Sequence, residues 1–314
     1  MLCTIDWTDS SPNIRKEHFQ KVNNANLLQS LEYGRVVAAL DAQVVLWGII
    51  QINGEEAGIV QVLEKTALGY LLQVLILDRG PLWLDGFGTE EHLDAFLKTF
   101  RQQYPKRLGR AVRIMPEYEQ SDTIDAVMGR HKFKKKTGGY QTYLLDLNRS
   151  EEQLRKSLKK NWRSSLSKAE KTGAIVEWDT KGQHLNWLIK MYNFDKKTKG
   201  YEGPCVKLIN ALSKEFIING NLMIGRVMLE NQAIAAILIF CHGRSATYQI
   251  GWNTQKGREN GAHNLALWNA AITLKSKDFT TFDLGGVNDT DAQNIKKFKQ
   301  GMGGNFVTLA GLYT

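Results

Sequence analysis

Four segments of the 314-residue chain hold side chains whose types and spacing could do chemistry. Between Arg149 and Lys171, eight basic residues (Arg149, Arg155, Lys156, Lys159, Lys160, Arg163, Lys168, Lys171) stand against three acids, Glu151, Glu152 and Glu170. Lys156, Lys159, Lys160 and Arg163 recur at spacings of three and four. On one helix they would share a face opposite the apolar stripe of Leu154, Leu158, Trp162, Leu166 and Ala169. Solvated faces normally mix signs, so a face of one sign fits contact with phosphate; an ordinary solvated face is the plain alternative. The second segment, Asn294 to Gly304, runs Lys296, Lys297, Phe298 and Lys299 into Gly301, Gly303 and Gly304. Glycines let backbone approach a ligand, and lysine can neutralise phosphate or a developing oxyanion. Lysines complementing a helix carboxyl end read better on composition alone. The third segment, Thr280 to Asp289, is a strand pattern with Asp283 that ends in Gly285-Gly286 and continues to Asn288-Asp289. Ligands gather beyond the carboxyl ends of strands in open α/β sheets, although a turn after a buried strand needs none. The fourth, Arg258 to His263, opens a helical pattern at 262–276, where free amides suit a pyrophosphate.

Several mechanisms are excluded by what is missing. There is no GxSxG elbow, no phosphate loop of the Walker type and no HExxH. The six histidines (His18, His92, His131, His184, His242, His263) show no ligand spacing and read as surface or loop residues, so no metal is expected. Three distant cysteines, with no CxxC, argue against both a disulfide framework and a zinc knuckle, and Cys241 falls in an apolar run that buries it. That run, 233–241, is the longest and is far short of the ~20 residues a spanning helix needs. Met1 to Asp6 carries no secretory pattern, which points to a cytoplasmic protein. A composition of 43% hydrophobic residues supports a packed core, and the net charge of +9 points to a polyanionic partner. Residues 1–148 hold 17 basic and 18 acidic side chains, whereas 149–314 hold 24 and 14, so the excess lies in the second half.

The elements that must position these residues are legible in outline. Val44 to Ile52, Ala57 to Leu63 and Leu71 to Leu77 read as strands, the first two joined by Asn53-Gly54. Thr89 caps a helix with Leu93, Phe96, Leu97, Phe100 and Tyr104 on one face, and strands follow at 111–115 and 141–147. Ser150 to Gln153 is a capping box, and Gly173 stops the helix it starts, so one helix is expected over 150–171. Helical patterns follow at 184–198 and 206–218, then strands at 221–230, 233–242 and 246–252. A helix at 262–276, a strand at 280–285, the lysine-rich segment and a last strand at 305–312 complete the order. This is an α/β (α+β) layer fold of mixed sheets flanked by helices, with domains expected at 1–148 and 149–314.

Segments along 28–312 together resemble the FemABX family of aminoacyl-tRNA-dependent peptidyltransferases. Leu28 to Gly34 is similar to the family's opening LQSxxWG, with Tyr33 in place of Trp, and Asp78 to Leu82 is similar to its RGP turn. Asn161-Trp162-Arg163, Lys168 to Lys171 and Gly173 resemble the helix opening its second domain. Tyr248 to Gly251, Phe282 to Gly286, Phe298-Lys299 and Gly303-Gly304 resemble its carboxyl-terminal signature. The resemblance implies two GNAT-like domains and transfer of an amino acid from its tRNA ester to an amine of a peptidoglycan precursor, UDP- or lipid-linked. It implies Lys299 as the charge facing the oxyanion, with Phe298 beside the substrate. Tyr248, Asp283, Gly285, Gly286, Arg35 and Arg79 would bind substrate, and Lys156, Lys159, Lys160, Arg163 and Arg258 would meet tRNA phosphates. No cofactor is implied; a lipid-linked acceptor would bring the chain to the inner membrane face. The alternative is an N-acyltransferase using acyl-coenzyme A or an acyl carrier on a sugar or polysaccharide precursor. GNAT acetyltransferases carry [Q/R]xxGx[G/A] for coenzyme A, and Arg258 and Gly261 match it, while His263 stands where Gly or Ala is expected. A binding protein for tRNA or a membrane surface is the reading outside enzymes.

Overall fold

The computed structural model describes residues 1–7, 11–22, 24–200, 203–287 and 293–314. The chain divides into two units, Met1–Gln141 with Thr308–Thr314, and Thr142–Val307. The compositional boundary at Asn148-Arg149 falls a few residues later, in the turn after the first strand of the second unit. The first unit has 17 basic and 17 acidic residues, and the second 24 and 15, so the whole +9 belongs to the second.

The first unit runs β1 (Cys3–Asp6), α1 (Pro12–Lys21), a 3-10 turn (Leu27–Gln29), α2 (Leu31–Asp41), β2 (Val44–Ile52), β3 (Glu55–Ala67) and β4 (Leu72–Asp78). It continues with β5 (Leu82–Trp83), α3 (Glu90–Gln103), β6 (Arg110–Met115), α4 (Asp122–Arg130) and β7 (Lys135–Thr137). Then come β8 (Gln141–Asp146), α5 (Glu151–Ser157), α6 (Lys160–Glu170), β9 (Ile175–Asp179), α7 (Leu185–Lys199), α8 (Val206–Ile218), β10 (Leu222–Leu229), β11 (Gln232–His242) and β12 (Ser245–Asn253). The chain ends with α9 (Gln255–Glu259), α10 (Ala262–Lys275), β13 (Thr281–Asp283), α11 (Gln293–Gly301), β14 (Asn305–Thr308) and β15 (Leu312–Tyr313). Among the described residues no helix is long and apolar enough to cross a membrane.

The two sheets repeat one plan: an antiparallel meander, a crossover helix, and a strand returning parallel to the last of the meander. In the first unit this is β2-β3-β4, α3 and β6, and in the second β10-β11-β12, α10 and β13. The orders are β1-β2-β3-β4-β6-β15-β7, with β5 on β3, and β14-β8-β13-β12-β11-β10-β9. The expected α/β architecture of two mixed sheets flanked by helices is therefore the observed one. α10 is buried over nearly its whole circumference, as a helix without a polar face must be, and packs with α6 on the second sheet.

Two local expectations give way to tertiary contacts. The helix expected over 150–171 is broken: Leu158 and Lys159 are extended, with ψ of 132° and 149°. The Ser157 hydroxyl donates to the Leu154 carbonyl (2.7 Å), and the Lys159 N–H leaves the ladder for the Gly301 carbonyl (2.9 Å). Lys156, Lys159, Lys160 and Arg163 thus do not lie along one face of one helix. The strand expected over 305–312 is likewise two strands, interrupted where the Leu309 N–H turns to the Tyr140 carbonyl.

In the first unit, the Gln29 side chain takes the place of a ladder rung between β3 and β4. Its Oε1 accepts from the Gln61 N–H (2.8 Å), and its Nε2 donates to the Gln61 (3.1 Å) and Asp78 (2.8 Å) carbonyls. The Gln61 carboxamide in turn lies flat on Gly34, where a Cβ would sit 2.4 Å from its oxygen. These contacts account for Gln29 and Gly34 in the opening motif. Gln29→Leu leaves three buried backbone groups without partners, each worth about 1–3 kcal/mol. We expect the urea midpoint to fall by a corresponding amount; a midpoint within error of the parent would contradict this account.

Candidate active site

The second unit gathers one polar cluster at the point where its sheet stops being continuous. β12 pairs with β13 only over Ser245–Thr247 and Thr281–Asp283, and beyond that the pairing ends, with the Leu284 N–H donating to the Tyr143 carbonyl on the other side. A register shift between Leu238 and Ile239 inserts Gln249 as an extra residue beside Tyr248, which bends β12 there. Gly285 continues β13 at φ +78°, and a Cβ on it would lie 2.7 Å from the Tyr248 carbonyl and 3.2 Å from Lys299 Nζ. Only glycine fits that position.

α11 places Phe298 and Lys299 over this opening. Lys299 is buried, 7% exposed, and its Nζ donates to the Gly286 carbonyl (3.0 Å). The same nitrogen lies 5.5 Å from the centre of the Tyr248 ring, a cation–π contact. The Asp283 carboxylate is buried nearby and is held by the Thr142 hydroxyl and the Gly285 N–H (2.8 Å). Burial pushes the Lys299 ammonium down to about 8, against the opposing pull of Asp283. The Tyr248 hydroxyl meets His263 Nε2 at 3.0 Å. Burial, helped by the Lys299 charge, pushes the His263 imidazole down to about 4. Phe298 stands edge-on to His263 (5.7 Å between ring centres) and packs on Trp162 (6.0 Å), whose own backbone neighbour across the helices is Gly301.

Six sequence-derived residues therefore come together: Tyr248, Asp283, Gly285, Gly286, Phe298 and Lys299. Arg35 and Arg79 belong to the first unit. Arg35 is exposed on α2; Arg79 is buried, grips Glu117 with two hydrogen bonds (2.8 and 2.6 Å) and lies over the Tyr140 ring. Lys156 pairs with Glu152 (2.6 Å), and exposed Arg258 donates to the Asn253 carbonyl (3.0 Å). Lys159 stands at the helix break and Lys160 and Arg163 are exposed on α6. Arg163, Ser164, Ser167, Lys168 and Lys171 line an open depression of about 510 Å³. Asn288 and Asp289 lie outside the described residues. Among the described residues no group of three His, Cys, Asp or Glu side chains is placed to hold a metal ion.

His263 reads from the sequence as a surface or loop histidine, whereas it is half-buried against Tyr248 and Phe298; His242, 3% exposed on β11, is buried. Cys241 is buried as expected. The turn before α10 is also closed in a way its pattern did not foretell. Gly261, at φ +66°, abuts Ser165, whose carbonyl oxygen would be 2.4 Å from a Cβ, and Lys168 Nζ donates to the Glu259 carbonyl (2.7 Å).

The cluster contains no serine or cysteine. What it offers is a desolvated cation that, among the described residues, makes one hydrogen bond. Such a donor stabilises negative charge developing on a carbonyl oxygen far better than the same group in water.

Residues 156–300 match the acetyltransferase (GNAT) domain family. Among solved structures, FemX is similar over 100% of this chain and 96% of its own, with a TM-score of 0.79 and 15% identity. The C-terminal domain of a putative lysylphosphatidylglycerol synthetase from Agrobacterium fabrum is similar over 96% and 92%, with a TM-score of 0.55 and 11% identity. L-PGS from Bacillus licheniformis is similar over 96% and 90%, at 0.52 and 10%. No curated protein sequence matches the chain. The chain thus has a fold like that of FemX, with two GNAT-like units, and most of its second unit matches the acetyltransferase (GNAT) domain family.

The buried cation has a thermodynamic signature. The folded value of about 8 lies below the ordinary 10.5, so between these values the unfolded chain binds more protons. Stability contributed at this residue therefore rises with pH from about 8 to 10.5, and at pH 7 the folded chain bears the full cost of the buried charge. Lys299→Met should raise the urea midpoint at pH 7, with the gain shrinking toward pH 10. A lower midpoint at pH 7 would contradict the burial argument.

Proposed function

We propose that the chain is an aminoacyltransferase that moves an amino acid from aminoacyl-tRNA to an amine of a peptidoglycan precursor, UDP- or lipid-linked. The observation that carries this reading is the buried Lys299 ammonium, beside Tyr248 and Phe298, where the pairing of β12 with β13 ends. The donor ester carbonyl would sit against Lys299 Nζ. The amine nitrogen attacks the carbonyl carbon, the oxyanion forms against the ammonium, and the carbon–oxygen bond to the ribose breaks as the proton leaves nitrogen for the ribose oxygen. No enzyme nucleophile is required, and holding both substrates in register supplies much of the acceleration.

Three further features support a nucleic-acid donor. The full +9 sits on the unit bearing Lys299. Exposed Lys159, Lys160 and Arg163, with Lys156 and Arg258, would meet tRNA phosphates. Gly261, just before α10, is held against the Ser165 carbonyl, and His263 stands where the coenzyme A pattern has a small residue, which departs from a standard pyrophosphate cradle. A lysylphosphatidylglycerol synthetase is, by its name, also concerned with an amino acid as the acyl group. On this reading no cofactor is needed, and Asp283, Gly285 and Gly286 shape the acyl pocket. The protein would work in the cytoplasm, at the inner membrane face if the acceptor is lipid-linked. The acetyltransferase match, with Arg258 and Gly261, favours the second reading, an N-acyltransferase using acyl-coenzyme A on a sugar or polysaccharide precursor.

Incubation of the protein with tRNA charged with labelled amino acids and a UDP-linked muropeptide should transfer label to the muropeptide, and Lys299→Met should lose at least about 100-fold in kcat. Absence of transfer with every amino acid, together with saturable thermal stabilisation by coenzyme A, would replace this reading with the second.

A further inference from the structure

Tyr248 is the one side chain of the cluster that touches both of its nitrogen bases. Its ring faces Lys299 Nζ at 5.5 Å, and its hydroxyl meets His263 Nε2 at 3.0 Å. The imidazole is fixed from several sides. It projects from the first turn of α10, Phe298 stands edge-on to it, and Gly251 lies beneath the contact. A Cβ on Gly251 would clash with both the Tyr248 oxygen and His263 Nε2, so the pair requires glycine at this position of β12.

The direction of this hydrogen bond decides what Tyr248 presents to a substrate. A neutral imidazole protonated at Nδ1 accepts at Nε2, so the tyrosine must donate to it. The hydroxyl proton is then committed to the histidine, and the lone pairs of the oxygen turn away from it. If Nε2 carried the proton, the histidine would donate and the hydroxyl proton would point elsewhere. The nearby Lys299 charge and burial both hold His263 neutral at pH 7.

We propose that His263 is a positioning residue: its Nε2 accepts the Tyr248 hydroxyl, which makes the tyrosine oxygen a hydrogen-bond acceptor for an N–H of the attacking amine. Tyr248 thereby orients the nucleophile while Lys299 faces the oxyanion, and the site recognises an acceptor that brings an N–H rather than a bare carboxylate or phosphate. This role rests on the reading of the site as acyl transfer to an amine. No proton changes hands at His263.

Two measurements test it, and only one needs turnover. In protein labelled with nitrogen-15 at histidine, the His263 ring should show an unprotonated Nε2 and a protonated Nδ1 at pH 7, and Tyr248→Phe should shift it toward the Nε2–H tautomer. An Nε2–H tautomer in the parent overturns the proposal whatever the activity. In the transfer assay, His263→Leu should lower kcat/KM for the muropeptide by about tenfold, the worth of one hydrogen bond of this kind. The KM for charged tRNA should not change. His263→Gln, whose carboxamide oxygen can accept from Tyr248, should stay within about threefold of the parent. Equal losses in both variants, or none in His263→Leu, would overturn the proposal. If the parent transfers nothing, the aminoacyl-transfer reading fails, and the tautomer still decides how His263 and Tyr248 are bonded.

Discussion

Burying the Lys299 ammonium is the constraint around which the second unit is organised. A lone cation taken out of water costs several kcal/mol unless the protein replaces its hydration. Here the replacement is partial: one carbonyl, Gly286, one aromatic face, Tyr248, and the field of Asp283, itself held by Thr142 and Gly285. The pairing of β12 with β13 ends at this arrangement, the bulge at Gln249 sets Tyr248 within it, and the left-handed Gly285 lets the backbone pass close to the charge. On the proposed function, a group left under-solvated in the resting protein would gain most when an oxyanion appears beside it, so that the stability cost would serve catalysis.

The fold was legible wherever local pattern and tertiary demand agree. β2 over 44–52 and α8 over 206–218 follow their hydrophobic periods, and the caps at Thr89 and Ser150 stand where the side chains required them. It was not legible where a distant group outbids the local one. Nothing in Ser157-Leu158-Lys159 marks a helix end, since the partner that draws the Lys159 N–H away is Gly301, more than 140 residues on. The same holds for the site. Lys299 and Phe298 sat in a segment that reads as a helix end, and only its likeness to a known signature singled them out. His263 carried a signal, a bulky ring in place of a small residue ahead of a helix, but its partner Tyr248 lies across a strand and a turn.

Charge shows the same division of labour between sequence and structure. The sequence locates the basic excess in the second half, and the two structural units sharpen this to +9 against none. Ion pairing then sorts the basic residues: Arg155 is engaged by Glu170, Lys156 by Glu152 and Lys256 by Glu230, whereas the depression along α6 is lined by Arg163, Lys168 and Lys171 with two serines and no acid. A count of lysines cannot make that distinction, because it depends on which side chains fold back on one another.

The central claim is that Lys299 is a desolvated ammonium, and its own titration tests this most directly. With carbon-13 at the lysine ε position, the Lys299 resonance should titrate with a midpoint near 8, well apart from the exposed lysines. A midpoint at the ordinary 10.5 would mean that water reaches the ammonium, and the electrostatic account of the site would fail.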